Sequence, residues 1–215
     1  MADSCLFRVL ASGRSYFDLC QQIQPGDVVA FSGCDVPSSV VKIATQSCYV
    51  HVAIVLSVDW TAHHEDPILI AESHIDTSLP SEGSGKTLIG VQFQRLSNRI
   101  VAAQGPVWWA PLRVPLQKHQ LTQMCMWLHQ IESQGIPYDF PQAVGAGMDI
   151  LDKVGLSNQP DFEALFCSEL VTRALQIANI VDPEVNPSEK TPADVMQFSC
   201  LQKPILISDQ SNQEP

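Results

Sequence analysis

The amino-acid sequence predicts an α+β fold, because strand-like segments fill its first half and helical spacing dominates its second half. Runs rich in β-branched and aromatic residues, separated by Gly, Pro or polar loops, indicate a mostly antiparallel sheet of about five strands. The 215 residues are enough for one domain with a buried core.

The first half carries the predicted sheet. Tyr49–Val58 is the strongest strand, and the polar loop Asp59–Asp66 joins it to Pro67–His74, so the two strands are expected to pair antiparallel. The predicted elements of this half are, in order, a helix at 13–23, a strand at Asp27–Phe31, a short helix at Pro37–Gln46, and strands at Tyr49–Val58, Pro67–His74, Thr87–Leu96 and Ile100–Arg113.

The second half carries the predicted helices. Spacing indicates helices at Gln117–Ser133 and Ala143–Val154, and a third that begins near Phe166 and ends at about Ile180. Thr191 followed by Pro192 is typical of a helix start. The third helix has one apolar stripe, which consists of Cys167, Leu170, Val171, Ala174, Leu175 and Ala178.

Composition limits the function classes. With 23 acidic and 12 basic side chains the formal charge is -11, which excludes nucleic acid as an expected partner and disfavours anionic membranes. Seven cysteines, an odd number, favour a reducing compartment, and neither a signal peptide nor a membrane-spanning segment is recognisable. A cytoplasmic protein is therefore expected. The cluster His63-His64-Glu65-Asp66 lacks the spacing of known metal sites, so no metal or other cofactor is expected.

Three residues are candidates for catalysis. Cys167 is expected in the first turn of its helix, where the helix dipole favours a reactive thiolate, although its place on the apolar stripe fits a buried structural thiol equally well. If the predicted hairpin pairs residue 51 with residue 72, His51 and Glu72 are cross-strand neighbours that fit a base and its orienting carboxylate. The alternative is a polar pair with a structural role.

Several motifs resemble the circularly permuted papain-like enzymes of the NlpC/p60 superfamily, in particular the YiiX-like branch. The resemblance covers about residues 23–198, and its order, histidine first and cysteine last, is that of the permuted enzymes. The motifs are Tyr49-Val-His-Val-Ala-Ile-Val-Leu56, Ile68-Leu-Ile-Ala-Glu-Ser73 and Phe166-Cys-Ser-Glu-Leu-Val171, supported by Pro25-Gly-Asp-Val-Val29, Pro137-Tyr-Asp139 and Thr191-Pro-Ala-Asp194.

The resemblance implies an antiparallel sheet with the cysteine helix packed across it. It also implies a cysteine hydrolase, a peptidase or amidase, or an acyltransferase that forms a covalent acyl-enzyme, with Cys167 as nucleophile, His51 as base and Glu72 as orienter. Tyr49 and Ser168 are candidates for the oxyanion hole or the groove, although Tyr49 fits an ordinary strand aromatic better.

The substrate class stays open among a peptide, another amide, and a lipid-like ester or thioester. The Asn-Cys-Glu-His motif of lecithin:retinol acyltransferase-like enzymes is absent, and the cysteine context also differs from that of the permuted desumoylating peptidases. The alternative to an enzyme is a catalytically silent domain that binds a lipid or a peptide. The expected organisation is a helical extension at 1–22, the papain-like domain at 23–207 and a flexible polar tail at 208–215.

Overall fold

Six antiparallel strands form a single sheet. The computed structural model describes residues 19–32, 47–61, 66–74, 79–87, 90–103, 105–134 and 162–208, and within 162–166 it describes the backbone alone. The strands are β1 (Val28–Phe31), β2 (His51–Val58), β3 (Ile68–His74), β4 (Gly90–Arg95), β5 (Val107–Ala110) and β6 (Ile205–Ser208). Their order across the sheet is β4-β3-β2-β1-β5-β6, with every neighbouring pair antiparallel.

Four α-helices have both ends in the described residues: α1 (Leu96–Ala102), α2 (Lys118–Gln134), α3 (Phe162–Ile177) and the short α4 (Pro192–Val195). A single 3-10 turn at Pro187–Glu189 precedes α4. The side chains of Thr191 and Asp194 cap each other's backbone at the start of α4, as the sequence predicts. The α+β class is therefore confirmed. None of the helices described is both long enough and apolar enough to cross a membrane.

The sheet is covered on both faces, and alternate residues of each strand point to opposite cores. On one side, which we call the α3 face, even-numbered residues of β1 and β2 pack against α2 and α3. On the other, the α1 face, odd-numbered residues of β1 and β2 pack with Leu96 of α1 and with Leu19, Cys20 and Ile23. From His51 to Leu56 the parity of a residue in β2 therefore decides which core it enters, whereas Val58, beyond a bulge, packs on the α1 face.

Several expectations about the elements need correction. The region from Ile100 is not a continuous strand, because α1 reaches Ala102 and β5 begins at Val107. Leu19 and Cys20 are helical and pack in the α1-face core, and Ser208 is the last residue of β6; the organisation into an extension at 1–22, a domain at 23–207 and a tail at 208–215 stays a prediction. The helices predicted at 37–46 and 143–154, the histidine pair at 63–64 and residues 209–215 lie outside the described residues.

Asp27 ties three segments together at the start of β1. It is 3% exposed, and its Oδ2 accepts hydrogen bonds from the Gln24 backbone N–H (2.9 Å) and the Trp109 indole Nε1 (2.8 Å). Its Oδ1 accepts from the Leu112 backbone N–H at 2.8 Å. Because all three partners are donors, only a group with two acceptor oxygens satisfies them.

We expect Asp27→Asn to lower the free energy of unfolding by roughly 2 kcal/mol, because the amide nitrogen must then meet one of these N–H donors. Urea unfolding followed by circular dichroism measures the change. Asp59→Asn is the matched control, since Asp59 is exposed and its Oδ1 accepts from the neighbouring Thr61; we expect it to stay within about 0.5 kcal/mol of wild type. Equal effects of the two substitutions would contradict the role given to Asp27.

Candidate functional site

His51 and Glu72 meet on the α1 face of the sheet. His51 Nε2 lies 2.8 Å from Glu72 Oε2, so the predicted contact is present. The predicted register is wrong, however: Ile54 pairs with Ala71, and continuing that register places residue 51 opposite His74. A bulge between Val55 and Ser57 moves the strands relative to a regular hairpin, and Glu72 reaches His51 diagonally.

Glu72 also binds Arg99, a residue that the sequence analysis did not identify. Arg99 extends from α1, and its Nε lies 2.8 Å from Glu72 Oε1. Burial opposes ionisation of the fully buried Glu72, but the hydrogen bond from His51 and the charge of Arg99 outweigh it and lower its pKa from 4.5 to about 2. The site therefore holds an ionised carboxylate that is hydrogen-bonded to the His51 imidazole and forms an ion pair with the Arg99 guanidinium.

The ionised carboxylate fixes the tautomer of His51. Since Glu72 carries no proton at neutral pH, its Oε2 can only accept, and Nε2 of His51 must carry the hydrogen. The basic nitrogen of the neutral imidazole is then Nδ1. A carboxylate on one ring nitrogen and a basic second nitrogen form the arrangement that general acid-base catalysis requires.

Aromatic and amide side chains surround the pair. The ring of Phe31, opposite His51 on β1, lies 5.5 Å from the imidazole, and the His74 ring packs edge-on at 5.0 Å. Gln92 of β4 lies opposite Glu72 of β3 in the sheet register and is buried. His51 is 6% exposed, so the pair is nearly but not wholly closed to solvent.

Cys167 lies on the opposite side of the sheet from His51. Its side chain is 0% exposed and packs into the α3-face core with Val52 and Ile54, whereas His51 shares the α1 face with Phe31. The predicted contact between the Cys167 thiol and the His51 imidazole is therefore wrong, because residues 51 and 52 of a strand point to opposite faces. The catalytic roles of the three residues remain predictions.

The setting of Cys167 within its helix also differs from the prediction. Because α3 begins at Phe162, Cys167 is its sixth residue and lies beyond the first turn. The helix dipole lowers the pKa of a thiol most strongly within the first turn. The signal for the earlier start is Asp161, an acid that directly precedes Phe162 in the sequence, as N-capping residues do.

Tyr49 and Ser168, the candidates for the oxyanion hole, do not face His51. Tyr49 packs edge-on against Trp108, with ring centroids 5.1 Å apart, and belongs to the α3 face. Burial raises the pKa of its phenol. Ser168 is fully buried, and its hydroxyl donates to the Lys190 backbone carbonyl. Both side chains have structural contacts here.

The fold and the site together define an α+β protein with a buried His-Glu-Arg cluster on one face of an antiparallel sheet. No three His, Cys, Asp or Glu side chains within the described ranges are placed to hold a metal ion. No protein-family model matches the sequence, and no curated protein is similar to it.

Among solved structures, the chain is similar to the crystal structure of the metalloprotein yiiX from Escherichia coli O157:H7, DUF1105. The TM-score is 0.53 at 15% identity, and the match covers 86% of this chain and 97% of that chain. This likeness supports a YiiX-like fold and carries no activity with it.

The charge state of Glu72 predicts a pH-dependent stability. Because its pKa is lowered in the folded state, Glu72 stabilises the protein above pH 4.5, and this contribution is lost as the pH falls toward about 2. We expect Glu72→Gln to lower the free energy of unfolding by roughly 3 kcal/mol at pH 7, and the difference from wild type to shrink between pH 5 and pH 2.

Glu82→Gln is the control for this pH series, because Glu82 is exposed and lies 3.7 Å from Arg95. We expect a change within about 0.5 kcal/mol at every pH. Denaturant unfolding at several pH values measures both variants. A loss for Glu72→Gln that does not vary with pH would contradict an ionised Glu72.

The burial of Cys167 predicts its reactivity. The sequence favours Cys167 as the most reactive thiol, but in this structure Cys48 is exposed and Cys167 is buried. Under limiting iodoacetamide at neutral pH we expect Cys48 to be labelled before Cys167, as measured by peptide mass spectrometry. Faster labelling of Cys167 in the folded protein would show that α3 exposes its thiol in solution.

Proposed function

We propose that the chain is a hydrolase or acyl-transfer enzyme for amide, ester or thioester bonds. In the proposed reaction His51 is the general acid-base and Glu72 orients the His51 imidazole. The observation that carries the proposal is the contact at 2.8 Å between a fully buried carboxylate and a nearly buried imidazole. The resemblance of the motifs around both residues to the permuted papain-like enzymes supports the same class of reaction.

In the proposed reaction one proton moves from the attacking group to His51 and then to the leaving group. Nδ1 of His51 takes the proton of the attacking group while Glu72 stabilises the imidazolium, and the proton then passes to the leaving group. If the attacking group is a thiol, the reaction forms a covalent acyl-enzyme, which water or an acceptor molecule then cleaves. If the attacking group is a water molecule, the bond is hydrolysed directly and no acyl-enzyme forms. With α3 placed as it is here, the Cys167 thiol lies in the other core, so the proposed reaction takes another attacking group and requires the site to open around the buried Nδ1 of His51.

A second candidate function is a catalytically silent domain that binds a peptide or a lipid. The observation that favours it is the position of Cys167, which is fully buried among apolar side chains of the other core. In such a domain the cluster of His51, Glu72 and Arg99 serves to attach α1 to the sheet.

Turnover separates the two candidates. We expect wild type to cleave a member of a panel of peptide amides, acyl esters and thioesters, and His51→Gln to lower kcat/KM by at least about 100-fold because it removes the proton acceptor. Glu72→Gln should reduce the rate less, since it disturbs only the orientation and charge of His51. His119→Gln, an exposed histidine on α2, is the control and should match wild type.

Cys167→Ser completes the set. With the arrangement described here we expect its rate to stay within a few-fold of wild type. A loss as large as that of His51→Gln would instead show that α3 brings the thiol to His51 in the active protein and that the attacking group is Cys167. Absence of turnover by wild type across all three substrate classes would favour the binding domain.

A further inference from the structure

Arg99 occupies the side of Glu72 that His51 leaves open. The two carboxylate oxygens are divided, with Oε2 on His51 and Oε1 on Arg99, each at 2.8 Å. The Arg99 side chain is 10% exposed, and its guanidinium carbon lies 6.0 Å from the centre of the Phe31 ring. We propose that Arg99 is a positioning residue that keeps His51 in its neutral, basic form through Glu72; this inference rests on the proposed role of the His51–Glu72 pair.

The reason is a balance of buried charge. When Arg99 is present, the cluster of Arg99, Glu72 and neutral His51 has no net charge. Without Arg99, the same cluster becomes neutral only when it takes up a proton, and the imidazole of His51 is ordinarily more basic than the carboxylate of Glu72. Because an uncompensated charge is costly in a buried site, Arg99 favours the unprotonated imidazole, which is the form that a base needs.

Among the residues that the structure describes, the other groups beside His51 do not replace Arg99. On β3, His74 packs edge-on at 5.0 Å, and an imidazole carries no permanent charge. Phe31 on β1 and Gln92 on β4 carry no charge, and Glu72 is the acid already counted. Of these neighbours, the guanidinium of Arg99 is the one with a permanent positive charge.

The neighbours of Arg99 indicate more than a structural attachment. Phe31 lies beside both His51 and Arg99, so a single aromatic ring limits the movement of the base and of the cation. Glu72 contacts both residues and is 0% exposed, so water does not screen the electrostatic interaction between Arg99 and His51. A substitution at Arg99 should therefore change the proton affinity of the His51 imidazole and not only the stability of α1.

The experiment is an NMR titration of the His51 imidazole, assigned by the signal that His51→Gln removes. In Arg99→Gln we expect the midpoint of the His51 titration to rise by roughly half to one pH unit, because a nearby positive charge no longer opposes protonation. Arg99→Lys restores the charge and should return most of the shift. Arg113→Gln, which removes an equal charge at an exposed site, should leave the midpoint unchanged.

Arg99→Met provides a second test if Arg99→Gln does not fold, since it keeps an apolar contact with Phe31 while it removes the charge. A midpoint that stays constant or falls in the folded charge-free variant overturns the inference, as does a shift that Arg99→Lys does not reverse. The titration needs no substrate. A protein without turnover whose His51 midpoint rises in Arg99→Gln therefore contradicts the enzymatic proposal alone.

Discussion

The burial of β2 on both faces is the constraint on which the rest of the structure depends. β2 lies inside the six-stranded sheet, with β1 and β3 as neighbours, and its residues enter two separate cores in turn. Val52 and Ile54 anchor α3, while Ala53 and Val55 pack on the side of α1. The parity of residues 51–56 cannot change without exposing one apolar set and disrupting the other core.

This constraint explains why the candidate site has the members that it has. His51 opens β2 with odd parity and therefore meets Glu72 and Arg99, whereas Cys167 belongs to the helix that covers the even-numbered residues. The helix stripe and the strand alternation can each be predicted from local spacing. Which face of the sheet receives which helix is a tertiary property, and the stripe that contains Cys167 would fit either face.

The sequence predicts elements whose signals are local and misses those that distant residues stabilise. β2 and β3 follow from their β-branched and aromatic residues, and α2 from its apolar spacing. α1 contains Ile100 and Val101, which favour strands, and its start lacks a local side-chain cap. The cap comes from Asp66, whose Oδ2 accepts the Ser97 backbone N–H at 2.6 Å. Arg99, which α1 carries to Glu72, was therefore not predictable from spacing.

The shared carboxylate of Glu72 also affects how the chain tolerates sequence change. His51, Glu72 and Arg99 form one buried unit, so the loss of a single member leaves the others with a charge or a donor that the interior cannot solvate. Simultaneous replacement of all three by apolar residues of similar size removes that penalty, which makes the combined effect smaller than the sum of the single effects. Neutral drift at these positions is consequently coupled, and the three residues are expected to be kept or lost together.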